Sequence, residues 1–180
     1  MDTASRKPGA GAGWEGIEQM LDLRSLTPSN PNFAEATRRF LMAMPIAQHL
    51  GFEITAVEPG RFEITQPYRR ELSFRDGVFQ AGPIGTLADM AGACASATML
   101  PADWACSTID YTLKLLAAAA GSELVARGRL LKYGRTLSVA AADVHVVRDG
   151  SETICATALI SIRNFAPAGP PNGRNQNEKG

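Results

Sequence analysis

Residues 79–100 read FQAGPIGTLADMAGACASATML, and this stretch decides the fold. Pro83 suits the first turn of a helix, and Pro101 ends that helix near Leu100. Asp89 is its only charge, and the other side chains are small or apolar all round. A helix without a polar face must be buried on most sides. The stretch therefore predicts a central buried helix whose Gly and Ala residues let other backbones approach closely.

The segments after this helix show the period-two pattern of strands. Gly134 and Asp149-Gly150 mark tight turns between them, the latter being a dipeptide typical of hairpins. One face of the last segment is predicted to carry Ile154, Ala156, Ala158, Ile160 and Ile162. The four predicted strands are Cys106–Leu116, Glu123–Tyr133, Arg135–Arg148 and Thr153–Asn164.

Two helical segments and two strands are predicted before the central helix. Asn32 can cap the first helix, and Pro45 interrupts it. The helix then restarts for one turn at Ile46–Leu50 and ends at Gly51. A turn at Glu58-Pro59-Gly60 then separates two strands, and a polar stretch resembles a loop. The strands are Phe52–Val57 and Arg61–Gln66, and the loop is Tyr68–Val78.

These elements predict one α+β domain at residues 33–165, in which a long antiparallel sheet wraps around the central helix. Residues 1–32 are predicted to be a tail with a short helix around Trp14–Leu23. Residues 166–180, rich in Pro, Gly and Asn, are predicted to be a disordered tail. Because a single-layer sheet leaves an outer face or an edge available, we expect a homo-oligomer.

Composition excludes several classes of protein. Eighteen basic and eighteen acidic residues give zero net charge, which argues against nucleic-acid binding through a positive field. The sequence contains no run of eighteen apolar residues, so no membrane-spanning helix is predicted. The first residues lack the apolar core of a signal peptide, and we therefore expect a cytoplasmic protein. Cys94, Cys106 and Cys155 are far apart and form no CxxC motif, so neither a disulfide framework nor a zinc site is predicted.

The order of elements and four phrases resemble the hotdog-fold acyl-CoA thioesterases of the phenylacetate-degradation (PaaI-like) group. The resemblance covers about residues 33–165. The phrases are PIAQHLGF at 45–52, the segment 80–89 with the helix that follows, TIDY at 108–111 and KYGRTL at 132–137. The resemblance implies the hotdog fold and hydrolysis of an acyl-CoA.

In that family, a His-Gly-Gly turn precedes the central helix, and a carboxylate follows nine residues after the His. The matching residues here are Gln80, Ala81, Gly82 and Asp89, so Gln replaces the His; Phe74 stands where the family often has Asn. Thioester hydrolysis needs a nucleophile and donors for the oxyanion. The resemblance implies that Asp89 acts as general base or nucleophile.

Other site residues follow from the same resemblance. Gln80 polarises the thioester carbonyl or positions the water, or else merely satisfies backbone groups of the loop. The backbone N–H groups of Ala81 and Gly82 form an oxyanion site at the positive end of the helix. Thr108, or its neighbour Ser107, supplies a hydroxyl from the facing subunit.

The substrate contacts are expected at a turn and at two aromatic side chains. Lys132 and Arg135 flank Tyr133-Gly134 and suit the phosphates of coenzyme A. The depth of the acyl pocket depends on Phe74 and Phe79.

The sequence thus predicts an acyl-CoA thioesterase without metal or redox cofactor, in which coenzyme A is part of the substrate. The expected assembly is a homodimer or a homotetramer built as a dimer of dimers. A protein that binds acyl-CoA without hydrolysing it is the main alternative. A dehydratase is less well supported, because neither His49 nor His145 lies in the matching segment, and the acyl group stays open.

Overall fold

In this computed structural model, which describes residues 26–166, two short helices precede the sheet and a longer one crosses it. The helices are α1 (Phe33–Met42), α2 (Pro45–Leu50) and α3 (Ala81–Ala97). The strands are β1 (Glu53–Glu58), β2 (Arg61–Pro67), β3 (Ser73–Arg75), β4 (Val78–Phe79), β5 (Ala105–Leu115), β6 (Glu123–Lys132), β7 (Leu137–Arg148) and β8 (Ser151–Phe165).

Six strands form one antiparallel sheet in the order β1-β2-β6-β7-β8-β5, and β3 and β4 form a separate small hairpin. The inner face of the sheet packs against α3, which contacts β2, β5, β6, β7 and β8. This arrangement confirms the predicted α+β hotdog fold. It leaves β5 as one edge of the sheet, beside α3.

Small residues let α3 lie close to the sheet. A Cβ on Gly128 of β6 would stand 2.0 Å from the carbonyl oxygen of Ala91, and one on Gly92 would stand 2.6 Å from Ile160 Cδ1. The side chains of Leu87, Ala88, Ala91, Cys94 and Ala95 are fully buried. The prediction of a helix buried on most sides is therefore confirmed.

Four register irregularities interrupt the six-stranded sheet, and those in β5 and β8 change faces that bear on the predictions. In β5, Thr108 pairs with Ile162 and Asp110 with the adjacent Ser161, so Ile109 is an extra residue. In β8, Cys155 is extra in the same way. A bulge shifts the alternation by one position. Ile154 is consequently 41% exposed, and its predicted place beside Ala156 is wrong.

Several element boundaries differ from those predicted. The helix α3 ends at Ala97 rather than near Leu100, because its last turn tightens: the N–H of Leu100 bonds Ala97 O at 3.1 Å. Asn32 occupies the N-cap position of α1, but its side chain forms no capping bond. The polar stretch 68–78 is not all loop, since it contains the 3-10 turn Arg70–Leu72 and most of the hairpin β3–β4. β7 begins at Leu137, not at Arg135.

The outer face of the sheet carries ion pairs instead of apolar side chains at its centre. Arg127 bonds Glu63 at 2.7 Å and Glu152 at 2.6 Å, and Arg129 bonds Asp143 at 2.6 Å. No helix within residues 26–166 is long and apolar enough to cross a membrane. In the same range, no three His, Cys, Asp or Glu side chains are grouped so that they could hold a metal ion. The predicted helix at Trp14–Leu23 and nearly all of the C-terminal tail lie outside the described residues.

Candidate active site

Asp89 lies on α3 where this helix faces the edge strand β5. The Thr108 hydroxyl donates a hydrogen bond of 2.7 Å to Asp89 Oδ1. Burial raises the pKa of the Asp89 carboxyl, and the bond from Thr108 opposes that effect. Among the described residues, Thr108 is the one side chain that donates to this carboxylate, so Oδ2 is open to water or substrate.

The structure separates Thr108 from its neighbour Ser107. Thr108 pairs with the buried Ile162 and faces α3, whereas Ser107 is exposed and pairs with Arg163 on the outer face. The bond to Asp89 joins two residues of one chain, whereas the resemblance implies a hydroxyl from the facing subunit. Asp89 and Thr108 therefore form a pair that needs no second subunit to hold it together.

Gln80 caps the start of α3. Its side-chain Oε1 accepts a hydrogen bond from the N–H of Gly82. Pro83 has no N–H, and the Ala81 N–H has no acceptor among the described residues. Of the two donors expected for an oxyanion, Ala81 is open and Gly82 is occupied by Gln80. The structure thus shows Gln80 satisfying backbone groups, which was one of its two predicted roles.

The start of α3 and the carboxylate lie along one line of the helix. Gly82 and Asp89 are seven residues apart, close to two turns, so both face the same side at a spacing of about 10 Å. Helical side chains lean toward the N-terminus, which brings the Asp89 carboxyl closer to the amides. The backbone amides at the start of α3 and the Asp89 carboxylate therefore lie on the same side of the helix.

Tyr111 joins this site, although no role was predicted for it. The Tyr111 hydroxyl lies 3.4 Å from the place where a Cβ on Gly85 would stand, one turn before Asp89. Strict alternation puts Thr108 and Tyr111 on opposite faces, since they are three residues apart. The bulge at Ile109 puts both on the inner face, and a bulge leaves no signal in the alternation of residues.

The predicted coenzyme A contacts lie at the end of β6, which Lys132 closes, and in the loop that leads to β7. Asn164 Nδ2 donates a 2.8 Å bond to Gly134 O and so holds this loop against β8. Asn164 in turn pairs with Cys106, two residues from Thr108, so the loop lies at that end of β5. Lys132 and Arg135 are exposed, and neither forms an ion pair within residues 26–166. Tyr133 is partly exposed, and burial raises its pKa.

The two predicted aromatic contacts behave differently. Phe79 is only 3% exposed and packs edge-on against Tyr68, with ring centroids 5.4 Å apart. It is thus a core residue, because its ring is covered by the chain itself. Phe74 is exposed on β3, where its ring is available for a contact.

The fold is shared with solved structures of thioesterases. The chain is 30% identical to a thioesterase family protein from Silicibacter pomeroyi, with a TM-score of 0.73 over 74% of this chain and 98% of that one. It is 26% identical to a phenylacetic acid degradation-related protein from Ralstonia eutropha JMP134, with a TM-score of 0.61 over 71% and 98% of the two chains. The PaaI protein of Escherichia coli, from the phenylacetic acid degradation operon, is 17% identical, with a TM-score of 0.66 over 77% and 96%.

No family model matches this sequence, and no curated protein matches it either. The match to the Silicibacter protein spans nearly the whole of that chain.

Proposed function

Because the chain belongs to the thioesterase family, we propose that it hydrolyses acyl-CoA to a free acid and coenzyme A, with Asp89 as the central residue. The observation that carries this proposal is the pair of Asp89 and Thr108. A half-buried carboxylate on an otherwise apolar helix is unfavourable for folding unless it is hydrogen-bonded. This one keeps one oxygen open beside the edge strand, as a reacting group requires.

Asp89 serves the reaction as general base or as nucleophile. As a base, Oδ2 takes a proton from water, the water oxygen attacks the thioester carbon, and the sulfur leaves and takes up the proton. As a nucleophile, Oδ2 attacks the thioester carbon, the C–S bond breaks, and the CoA thiolate leaves and takes up a proton from solvent. Water then opens the resulting anhydride and regenerates the Asp89 carboxylate. Burial favours either role, because a raised pKa makes the carboxylate more basic. In a single turnover in ¹⁸O-water, label in Asp89 identifies the nucleophilic route with attack of water on the Asp89 carbonyl, whereas the base route labels only the free acid.

The positive end of α3 would stabilise the developing oxyanion. The Ala81 N–H is available at once, and the Gly82 N–H becomes available when Gln80 releases it. The freed Gln80 amide can then donate to the thioester carbonyl. Lys132 and Arg135 would bind the phosphates of coenzyme A, which is substrate and not cofactor.

We further propose that the working form is a homodimer, or a homotetramer built as a dimer of dimers. The edge strand β5 carries exposed Ile109, Tyr111 and Leu115, and the exposed Leu116 follows it. An exposed edge strand with large apolar side chains is a template on which another chain can pair. A second subunit on β5 would lie beside Asp89 and close the open side of the site.

One observation favours a second candidate function, the binding of acyl-CoA without hydrolysis. Gln80 occupies the Gly82 N–H, and Gln can neither accept nor release a catalytic proton as the His of the family could. If Gln80 stays in place, the site binds a thioester but stabilises its transition state less.

Thiol release from short, medium, long-chain and aryl acyl-CoA separates these functions. We expect hydrolysis by the wild-type protein and a loss of at least about 100-fold in Asp89→Asn, which keeps the shape but removes the basicity. Asp149→Asn, in an exposed turn, is the matched control and should retain full activity. If acyl-CoA binds but no variant releases thiol above background, the binding function replaces the hydrolase.

A further inference from the structure

Asn164, near the end of β8, binds the loop between β6 and β7 from inside the fold. The residue is buried, with 2% of its surface exposed. Its Nδ2 donates hydrogen bonds of 2.8 Å to Gly134 O and 2.7 Å to Ser138 Oγ, and its backbone N–H donates to Thr136 O at 3.0 Å. One residue therefore holds two carbonyl groups of residues 133–136, which we call the anchored loop.

The backbone of the anchored loop is also fixed from the side of β7. A Cβ on Gly134 would stand 2.4 Å from Leu137 O, so the two backbones are in direct contact there. Lys132 precedes the loop and Arg135 lies within it. Both side chains are exposed, and neither forms an ion pair within residues 26–166. The loop thus presents two unpaired cations from a backbone that has little freedom to move.

Stability alone does not explain an amide at the position of Asn164. Its Oδ1 is buried and has no hydrogen-bond partner among the described residues. A buried polar atom without a partner lowers the stability of the fold, whereas an apolar side chain would carry no such penalty. The two hydrogen bonds that Nδ2 donates are what an apolar side chain could not supply, and one of them holds the loop.

The anchored loop is within reach of the reacting pair. The residue two positions before Asn164 on β8 pairs with Thr108. One strand spacing, two residues along the strand and the amide with its hydrogen bond place Gly134 O within about 16 Å of the Thr108 backbone. The pantetheine arm of coenzyme A has about thirteen bonds between sulfur and phosphorus, and a peptide with as many bonds spans roughly 15 Å. A thioester at Asp89 can therefore extend its phosphates to the cations of the anchored loop.

We propose that Asn164 is a positioning residue for coenzyme A, which holds Lys132 and Arg135 ready for the phosphates by anchoring the loop. The proposal rests on the proposed function above and names the residue that organises its substrate contacts. Ordering a loop on binding lowers affinity, so a loop that is ordered beforehand binds more tightly. Asn164 acts through the loop and not on the ligand itself, because its side chain is buried.

Two substitutions at one buried hydrogen-bonded group test this role. Asn164→Ala removes the bond to the loop and the bond to Ser138. Ser138→Ala removes only the second bond and is therefore the matched control for lost stability. The affinity of each protein for free coenzyme A is measured by calorimetry, which needs no turnover. KM and kcat are measured with one acyl-CoA and with the acyl-pantetheine of the same acyl group, which lacks the phosphates.

We expect Asn164→Ala to weaken the binding of coenzyme A about fivefold and to raise KM for acyl-CoA by a similar factor. KM for acyl-pantetheine and both kcat values should change less than twofold, as should every value for Ser138→Ala. In a protein that already carries Lys132→Ala and Arg135→Ala, Asn164→Ala should weaken the binding of coenzyme A less than twofold, because the loop then has no charge to present.

The results separate a failure of this proposal from a failure of the thioesterase function. If thiol release is normal and Asn164→Ala binds coenzyme A as tightly as the wild-type protein does, the positioning role is wrong and the enzyme remains. Equal losses with acyl-CoA and acyl-pantetheine overturn the role as well, since a general loss of structure acts on both.

If the wild-type protein releases no thiol, the affinities for coenzyme A alone decide the positioning role, and a wild-type protein that does not bind coenzyme A overturns it. If Asn164→Ala does not fold, Gly134→Ala provides the test, because the new methyl group moves the loop away from Leu137 O. That substitution should weaken the binding of coenzyme A to a similar extent, and an unchanged affinity would show that the position of the loop does not matter.

Discussion

Two opposing effects set the ionisation of the Asp89 carboxyl, on which the proposed chemistry of the site depends. Burial destabilises the charged form of Asp89, and the hydroxyl of Thr108 stabilises it. The folded protein therefore keeps the pKa of Asp89 above that of a free Asp. Because a base must be ionised to act, kcat/KM should rise with pH through this raised pKa and then level off.

Removing the Thr108 hydroxyl should move that rise to higher pH. In Thr108→Val, the charged form loses its hydrogen bond, so the pKa of Asp89 increases further. We expect a loss of roughly tenfold in kcat/KM on the acid side of the profile and a smaller loss on the alkaline side. The pH dependence of kcat/KM measures this.

Thr108→Ser, which keeps the hydroxyl, is the control for that experiment and should change the profile little. An equal loss at every pH in Thr108→Val would contradict the expected role, since it would mean that the hydroxyl orients water without affecting ionisation.

At the scale of residues, the sequence singles out Asp89 as a candidate, but it does not predict the hydrogen bond that Gln80 forms with Gly82. Asp89 stands out as the one charge on an apolar helix, and the family pattern selects it again. That Gln80 caps Gly82 depends on the rotamer of a side chain at a helix start, which residue types alone do not determine. The structure shows the capping bond, and the role of Gln80 toward a thioester stays a prediction.

At the scale of elements, local sequence patterns predict which helices and strands exist, but they predict less well which side chains share a face of a strand. The four long strands follow from periodicity, because burial on one face imposes it. The helix α3 follows from its flanking prolines and from the lack of a polar face. The faces of Ile154 and Tyr111 do not follow, because a bulge is a property of a pair of strands. The hairpin β3–β4 was also hidden, since two or three residues are too short to show a period.

The close approach of α3 to β6 gives a prediction about stability. Gly128→Ala should lower the free energy of unfolding by at least about 3 kcal/mol, because the new methyl group meets the backbone carbonyl of Ala91. Neither backbone can retreat without moving the helix. Denaturant unfolding of the purified protein measures the change.

Gly77→Ala provides the comparison for Gly128→Ala. Gly77 has a positive φ of 76° but no atom near the place of a Cβ. Its substitution should therefore cost only the backbone conformation, about 1 kcal/mol. Equal effects of the two substitutions would show that the contact between α3 and β6 is softer than the structure indicates.

At the scale of the whole molecule, the two surfaces of the sheet differ in character. The outer face has a centre of ion pairs around Arg127, which water or polar groups can accommodate. The edge strand β5 exposes the large apolar side chains of Ile109, Tyr111 and Leu115 and borders the site. This contrast favours assembly through the edge strand and not through the centre of the outer face.

A charge on each surface tests that preference. Leu115→Glu, at a position 54% exposed on the edge strand, should convert the proposed oligomer to monomers and reduce the proposed thioesterase activity with it. Leu159→Glu is the matched control on the outer face, 51% exposed, and should leave a dimer intact. Light scattering coupled to size exclusion gives the masses. Dissociation by Leu159→Glu alone would place the interface on the outer face.

The bulge at Ile109 also has a consequence for the evolution of the sequence. Ile109 behaves as an insertion that the strand has absorbed, because the ladder is regular on both sides of it. A lineage in which this codon is deleted would keep Thr108 and Tyr111 turned toward the helix. Deletion of a codon between them and the end of the strand would instead turn over the side chains beyond the gap. Deletion of a single codon in β5 should therefore be tolerated at position 109, and selection should remove deletions at positions after Tyr111.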